Sequence, residues 1–180
     1  MHVRFSTCRG LEVQSDSTHE FVGRLNDVLI VPDTGKIEGF FVRAVHIGGT
    51  PFLSAIDIVQ WGGHVHVSDP EAIYPAEERI RLQSLLEDNR RIIGQVIRTE
   101  AGITIGRCMD VQFDTETMHC EWMFPRKWWR WQTPVPISHV IEVRSDAIIV
   151  REQEMPVREI VEQKSIGVPV ELLKQVPDAG

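Results

Sequence analysis

The 180-residue chain contains 42% hydrophobic and 25% charged residues and carries a formal net charge of −7 at pH 7. These proportions are typical of an ordinary globular protein, and the negative charge argues against a general nucleic-acid binder, which needs clustered Lys and Arg. No apolar run approaches the roughly 20 residues needed to cross a bilayer, and the N-terminus lacks the apolar segment of a signal peptide. We therefore expect a cytoplasmic protein without an integral membrane segment.

The acidic charge is concentrated in the first half of the chain. Residues 1–89 contain 7 basic and 13 acidic side chains, whereas residues 90–180 contain 12 and 13. If the chain has an anionic partner, we expect that partner to meet the second half.

The three cysteines, Cys8, Cys108 and Cys120, are too few and too scattered for a disulfide framework. An odd number fits a reducing compartment, where free Cys usually packs as a small apolar residue. We expect structural roles for all three. Cys108 and Cys120 are expected on neighbouring strands of one hairpin, where a redox-formed bridge is the alternative.

Strand patterns dominate the chain up to residue 69. The predicted order is a short strand at 9–14, a polar loop at 15–19, and strands at 21–31, 36–45 and 52–59. Pro32 and Gly35 are typical of the first and last corners of a type I turn. Gly62-Gly63 between apolar runs predicts a tight hairpin.

A linker with one short helix is predicted at residues 70–90. Pro75 suits the first helical turn, Glu77 and Glu78 suit its positive end, and Asn89 is a plausible terminator. The apolar stripe of this helix is narrow and consists of Ile80, Leu82, Leu85 and Leu86. We expect the helix to lie against one or both of the flanking segments.

A segment of the first half recurs 83 residues later. Gly23, Arg24, Asp27, Val28, Thr34 and Thr50-Pro51 are matched by Gly106, Arg107, Asp110, Val111, Thr117 and Thr133-Pro134. After one inserted residue in the second copy, Ser138 matches Ser54 and Val140 matches Ile56. After the loss of one residue from the second copy, Val150 matches Val67. Matches over about 60 residues indicate an internal duplication.

The second copy contains an ordered series of short motifs. They are Ile93-Gly94-Gln95-Val96, Glu100-Ala101-Gly102, Ile105-Gly106-Arg107, Asp110-Val111-Gln112-Phe113-Asp114, Pro136-Ile137-Ser138-His139-Val140 and Asp146-Ala147-Ile148-Ile149-Val150. This series resembles the PRC-barrel family. The first copy resembles it more loosely at Gly10-Leu11-Glu12-Val13, and well at 23–42 and 51–67.

The resemblance implies an all-β fold of two tandem small PRC-like (SH3-like) antiparallel β-barrels with a short linker helix and an irregular C-terminal tail. The expected segments are a first barrel at 1–69, the helical linker at 70–90, a second barrel at 91–151 and the tail at 152–180, with short helical turns at 156–164 and 169–175. A barrel of about 60–70 residues is marginal alone. We therefore expect the two barrels to pack closely.

The resemblance also implies a non-catalytic protein-binding module, an adaptor or assembly module, that requires no cofactor. The alternative is a factor of RNA metabolism, similar to the ribosome-maturation factor, that contacts RNA or a ribosomal protein through the second barrel. The chain lacks the membrane helix of the reaction-centre H subunit and the partner domain of the ribosome factor, so their specific functions are not expected here.

The tryptophan-rich stretch at 122–131 is the main difference between the copies. Period-two alternation places Cys120, Trp122 and Phe124 in the core, and Trp128, opposite Val45, is also expected to point inward. The residues expected to be free for binding are Trp129, Trp131, Arg126, Lys127 and Arg130. Four interpretations are open: burial between the barrels or in a homodimer, a protein-partner surface, stacking of single-stranded RNA, and a membrane-surface contact.

Catalysis and metal binding have little support in the sequence. His64 and His66 share one side of a strand and, with His46, would form a metal site only if further ligands lie beside them. Ser138 beside His139 is not a catalytic pair, because no orienting carboxylate is implied. Asp27 and Asp110 recur at equivalent places, which favours a structural role. We therefore expect neither an enzyme nor a metal site.

Overall fold

The computed structural model describes residues 1–44 and 47–152 of the chain. Within this part the protein is all-β: fifteen strands form two barrel-like sheets, accompanied by two short α-helices and single turns of 3-10 helix. The predicted fold class is confirmed. None of these helices is long and apolar enough to cross a membrane. The helical turns expected at 156–164 and 169–175 lie outside the described residues.

Eight strands precede the end of the linker. They are β1 (His2–Arg4), β2 (Glu12–Ser15), β3 (Phe21–Ile30), β4 (Ile37–Arg43), β5 (Pro51–Ser54), β6 (Ile58–Trp61), β7 (Val65–Val67) and β8 (Ile73–Pro75). Helix α1 (Phe5–Cys8) follows β1, and helix α2 (Ile80–Glu87) follows β8. Buried residues recur with a period of about two along β2 and β7, as expected for strands with one buried face.

Seven strands follow the linker. They are β9 (Val96–Thr99), β10 (Thr104–Asp114), β11 (His119–Lys127), β12 (Arg130–Trp131), β13 (Val135–Pro136), β14 (Val140–Val143) and β15 (Ala147–Val150). A single turn of 3-10 helix precedes β14 (Ile137–His139), and an equivalent turn precedes β6 (Ala55–Asp57).

The two sheets share the order of six strands. It is β6-β7-β2-β3-β4-β5 in the first sheet, where β8 then pairs with β5, and β14-β15-β9-β10-β11-β13 in the second, where β12 also pairs with β11. In each sheet a parallel pair, β2 with β7 or β9 with β15, brings distant parts of the unit together. Strand β1 pairs with β10 and so belongs to the second sheet. The segment boundaries at 69, 90 and 151 stay a prediction.

The duplication is visible in the register of the strands. At the centre of each unit, a buried apolar residue pairs with a glycine on one side and with another buried apolar residue on the other. These trios are Val13, Gly23 and Val65 in the first unit, and Ile97, Gly106 and Ile148 in the second. The expected equivalence of Gly23 and Gly106 is therefore confirmed.

One part of the sequence alignment of the copies is wrong. Val65 pairs with Val13 and Ile148 pairs with the equivalent Ile97, which confirms that Val150 corresponds to Val67. Val67 pairs with Ile58, and Val150 pairs with Val140. Val140 therefore corresponds to Ile58 and not to Ile56. The second copy has lost one residue between β11 and β13 instead of gaining one. The similar side chains near this turn led to an alignment that the strand pairing on either side of the turn contradicts.

The two units are joined through their equivalent β3–β4 and β10–β11 hairpins. Lys36 and His119, which are 83 positions apart, form an antiparallel bridge with each other. The Ile37 amide donates to the Met118 carbonyl at 2.7 Å, and the Cys120 amide donates to the Gly35 carbonyl at 2.9 Å. Because each bond is the image of the other under the duplication, the units are related by a local two-fold axis at this bridge.

Buried side chains of both units form one continuous hydrophobic core. Phe40 of the first sheet and Phe113 of the second are fully buried, with ring centroids 6.0 Å apart. The ring of Trp61 lies 5.3 Å from Phe40 and 5.7 Å from Phe113. The units therefore pack closely, as the small size of each one predicts.

The linker covers the outer face of the first unit. Strand β8 pairs with β5, and α2 places Leu82 in a buried cluster with Phe52 and Ala76. The helix thus lies against one of the units, as predicted. The prediction that Pro75 opens the helix is wrong: Pro75 ends β8, where an edge strand tolerates a residue without an N–H, and α2 begins at Ile80.

Gly39 on β4 is required by the way Phe52 crosses it. A Cβ atom at position 39 would lie 2.5 Å from Cζ of Phe52 and would also collide with the carbonyl oxygen of Leu53. The equivalent residue of β11 is Trp122, and Pro134 stands near the position of Phe52. In the first unit, Phe52 of β5 therefore fills the space beside position 39. In the second unit, the large side chain is that of Trp122 on β11.

We predict that Gly39→Ala lowers the free energy of unfolding by about 1–3 kcal/mol, because the new methyl group overpacks the Phe52 contact. The matched control is Gly63→Ala, where no heavy atom lies within 4 Å of the added Cβ and the change should stay below about 0.5 kcal/mol. Urea denaturation measures both. Equal effects of the two substitutions would contradict the close contact.

We predict that Phe113→Ala lowers the free energy of unfolding by about 3–5 kcal/mol and destabilises both sheets together, because its ring packs on Phe40 of the other unit. Circular dichroism and tryptophan fluorescence should report one shared transition in urea. Ile103→Ala, which truncates an exposed side chain of the same unit, is the control. Two separate transitions, with one left unshifted, would show that the units unfold independently.

Candidate docking surface on the second sheet

Residues 126–131 form a β-hairpin at the edge of the second sheet, which we call the tryptophan hairpin. Arg126 pairs with Trp131, and Lys127 pairs with Arg130, so Trp128 and Trp129 form a two-residue turn. Trp128 has a φ of 60°, in the left-handed region. Turns of this length usually place Asn or Gly there, and a bulky residue at positive φ is an outlier. Such strained residues cluster at functional sites.

The tryptophans of this hairpin lie on the surface. Trp128, Trp129 and Trp131 are 78%, 80% and 55% exposed. The rings of Trp128 and Trp129 meet edge to face, with centroids 6.0 Å apart. The prediction that Trp128 points inward is therefore wrong, and so is the interpretation that these side chains fill the space between the two barrels.

Trp122 also lies outside the core, in contrast to its predicted position. Cys120 pairs with Phe113 and Trp122 pairs with Gln112, so Glu121 is an extra residue in a β-bulge. A bulge shifts the inward-outward alternation by one residue. Cys120 and Met123 are therefore buried, whereas Trp122 is 40% exposed.

Cations surround the exposed rings. The guanidinium groups of Arg126 and Arg4 each lie 5.6 Å from the centre of the Trp131 ring, and Arg4 also lies 4.0 Å above Phe124. Within residues 1–44 and 47–152, the ion pairs closer than 4.0 Å are formed by cations other than Arg126, Lys127 and Arg130. The five residues predicted for binding therefore lie together on one exposed hairpin, and three of them carry a positive charge.

A shallow groove of about 560 Å³ runs between this hairpin and the start of β10. Its lining includes Val96, Arg107, Met109, Arg126, Lys127 and Trp128. The Lys127 ammonium donates to the Thr104 carbonyl at 3.2 Å and holds the hairpin beside β10. Sequence reasoning missed Arg107 and Met109 as surface residues, because it treated this strand as scaffold and the bulge beside Met109 is not visible in the sequence.

Asp110 has the structural role expected of it. This carboxylate is 2% exposed and accepts hydrogen bonds from the Arg4 guanidinium at 2.8 Å and from the Ser6 amide and hydroxyl at 2.9 and 2.6 Å. It thereby fixes the N-terminal segment on the second sheet and orients Arg4 over Phe124. Its equivalent, Asp27, is exposed and accepts from the amide of Val28.

The histidines on β7 have acidic neighbours that sequence spacing did not reveal. The Nδ1 atom of His66 lies 2.8 Å from Asp16, and that of His64 lies 3.7 Å from Glu12. Among the described residues, however, no group of three or more His, Cys, Asp or Glu side chains is arranged to hold a metal ion. His46, which the sequence associated with this pair, lies outside the described residues.

Comparison of the chain with models of protein families and with curated proteins gives no match. The surface must therefore be interpreted from its own geometry.

The three cysteines are buried and free. Burial raises the pKa of Cys108 and Cys120 to about 12, and burial also raises the pKa of Cys8. Because only the thiolate is a good nucleophile, these side chains are unreactive near neutral pH. Their environment is that of structural residues.

We predict that a disulfide exchange reagent reacts with the native protein at pH 8 far more slowly than with the urea-unfolded protein. At pH 8 a thiol of pKa 12 is about 0.01% thiolate, and the rate should rise as the pH is raised toward 12. The absorbance of the thiol group that the reagent releases measures the rate. Rapid reaction of one thiol in the folded protein would contradict the burial of that cysteine.

Proposed function

We propose that this chain is a non-catalytic adaptor or assembly module whose tryptophan hairpin docks a protein partner. The observation that carries the proposal is the exposure of Trp128, Trp129 and Trp131 on one strained hairpin, interleaved with Arg126, Lys127 and Arg130. Trp and Arg dominate the binding energy of protein interfaces. Each tryptophan can bury roughly 150–250 Å² on docking.

The difference between the two units supports this proposal. The outer face of the first unit is covered by α2, which packs on Phe52. On the second unit the equivalent region carries the half-exposed Trp122, beside the tryptophan hairpin. One copy thus uses its outer face within the chain, and the other presents aromatic surface to solvent.

The duplicated topology also supports the PRC-barrel interpretation, since each unit repeats the same six-strand arrangement. Members of that family act as docking modules. A cytoplasmic location belongs to the same proposal.

A factor of RNA metabolism is the second candidate, favoured by the cations beside the tryptophan rings. The ring arrangement favours it less. Two guanidinium groups approach Trp131, and the rings of Trp128 and Trp129 meet edge to face, so these two rings do not offer parallel faces to successive bases. Self-association through the same surface is an outcome that the experiment below detects.

The test is affinity capture from the native cell with the full-length chain and with the double variant Trp129→Ala/Trp131→Ala. Proteins captured by the parent and lost by the variant are purified and titrated against both. We expect the dissociation constant to rise at least about tenfold in the variant, because exposed tryptophans are typical hot spots. The change is measured by calorimetry.

The matched control is Ile56→Ala/Val59→Ala, which removes exposed apolar side chains from the first unit. It should leave capture and affinity unchanged. Capture that is identical for all three proteins would contradict docking through the hairpin. Loss of the captured material after nuclease treatment would support the RNA-associated function instead.

A further inference from the structure

Each of the two units contains a pair of arginines that face each other on adjacent strands. In the first unit Arg24 on β3 pairs with Arg43 on β4, and in the second Arg107 on β10 pairs with Arg126 on β11. Two like charges at opposite positions of adjacent strands are unfavourable unless an anion lies near them. The source of that anion distinguishes the two units.

The first unit supplies its own anion. Glu12 on β2 lies opposite Arg24, and its carboxylate accepts a hydrogen bond from the Arg24 guanidinium at 2.5 Å. In the second unit, the residue opposite Arg107 is Val96 on β9. The register therefore places valine where the first copy has glutamate, so the strand position opposite Arg107 carries no carboxylate.

Val96 and the two arginines of the second unit line the same groove. The groove beside the tryptophan hairpin is lined by Val96, Arg107, Met109 and Arg126. The guanidinium of Arg107 donates to the Gly94 carbonyl, which fixes its position at the edge of the groove. The groove is thus lined by apolar and by cationic side chains.

The size of the cationic region limits what it accommodates. The β10–β11 pair is basic at the end where Arg107 meets Arg126. Its other end carries three carboxylates, which share the single Met1 ammonium and the His2 ring as partners: Asp114, Glu116 and Glu121. At about 3.3 Å per residue, the basic end spans only a few residues of an extended chain. A long polyanion following the sheet would meet these carboxylates, whereas a short acidic segment fits within the basic end.

We infer that the groove binds a short acidic segment of the partner protein, whose carboxylates occupy the place of the Glu12 carboxylate and whose apolar side chain packs on Val96 and Met109. This inference rests on the proposed docking function and specifies the chemistry of the partner. Arginine binds carboxylates in a charge-assisted, often bidentate manner, which matches the arrangement already present in the first unit.

The test supplies the carboxylate that Arg107 lacks, first from a peptide and then from a substitution in the chain. The probe is a fluorescent peptide with glutamates on both sides of a leucine, and its control peptide has glutamines in their place. We expect the full-length chain to bind the glutamate peptide at least about tenfold more tightly than the glutamine peptide, with affinity that falls as salt is added. Fluorescence anisotropy measures both.

The decisive variant is Val96→Glu, with Val96→Gln as the matched neutral control. Val96→Glu should weaken binding of the glutamate peptide at least about tenfold by supplying an internal partner for Arg107, whereas Val96→Gln should change it less than about threefold. Because the first unit holds glutamate at this register, Val96→Glu should keep the melting temperature of the parent. Equal effects of the two variants would overturn the inference.

Trp128→Gly and Arg126→Glu keep the inference testable if Val96→Glu fails to fold. Glycine relieves the positive φ of residue 128, so Trp128→Gly should retain stability while it weakens the peptide complex. Arg126→Glu should weaken it at least about tenfold, and Arg43→Glu at the equivalent place of the first unit should not.

Other outcomes separate this inference from the proposed function. Binding of an oligouridine RNA or of anionic phospholipid vesicles in preference to the glutamate peptide would overturn the acidic-segment inference. A captured protein partner that is lost with Trp129→Ala/Trp131→Ala but binds independently of salt and of Val96→Glu would also overturn it, while the docking function would stand. No captured partner sensitive to the tryptophans would contradict the docking function itself.

Discussion

The reciprocal pairing of the two hairpins at Lys36 and His119 is the constraint on which the rest of the structure depends. A unit of about 60–70 residues buries only about 60% of the surface that its unfolded chain exposes and is marginally stable on its own. Pairing the hairpin ends satisfies backbone groups of Gly35, Ile37, Met118 and Cys120 and brings Phe40 against Phe113 in one core. Two marginal units thereby become one folded body, and the surfaces near the axis are no longer open to other partners.

The same constraint explains where the copies differ. Residues near the two-fold axis must pack against the equivalent residues of the other unit, whereas the residues of the outer faces are free to diverge. On the first unit, Gly39 admits Phe52 and the α2 cover. On the second, Trp122 stands at the place of Gly39 and is turned outward by a bulge that both units share, and the hairpin beyond it carries three more exposed tryptophans. The divergence therefore separates an outer face used for internal packing from one available for docking.

Much of this fold was predictable from the sequence, because its signals are local. Alternation and turn residues gave the strands, and the recurrence of Gly23 as Gly106 gave the duplication. Trp128 was wrongly predicted to point inward because it lies in the two-residue turn of a hairpin, whereas the inward position predicted for Trp122 was wrong for a non-local reason. A bulge at Glu121 depends on the partner strand, and a register shift of one residue exchanges the two faces of a strand. The five binding residues were predicted to lie together, and the hairpin does place them together, but their function stays a prediction.

The charge of the groove shows why net charge is a poor guide to this surface. The chain carries −7 overall, yet charges interact strongly only within about 8–10 Å in physiological salt. Within that range, Arg24 and Arg107 occupy equivalent positions and differ in their neighbour, Glu12 or Val96. A fixed offset of 83 residues aligns Glu12 with Gln95, so the exchange becomes visible only when the strands are paired. Loss of one carboxylate leaves Arg107 without the partner that Arg24 has, and Lys127, which stands where the first unit has Ala44, adds a cation to the same groove, so that an acidic partner can bind there.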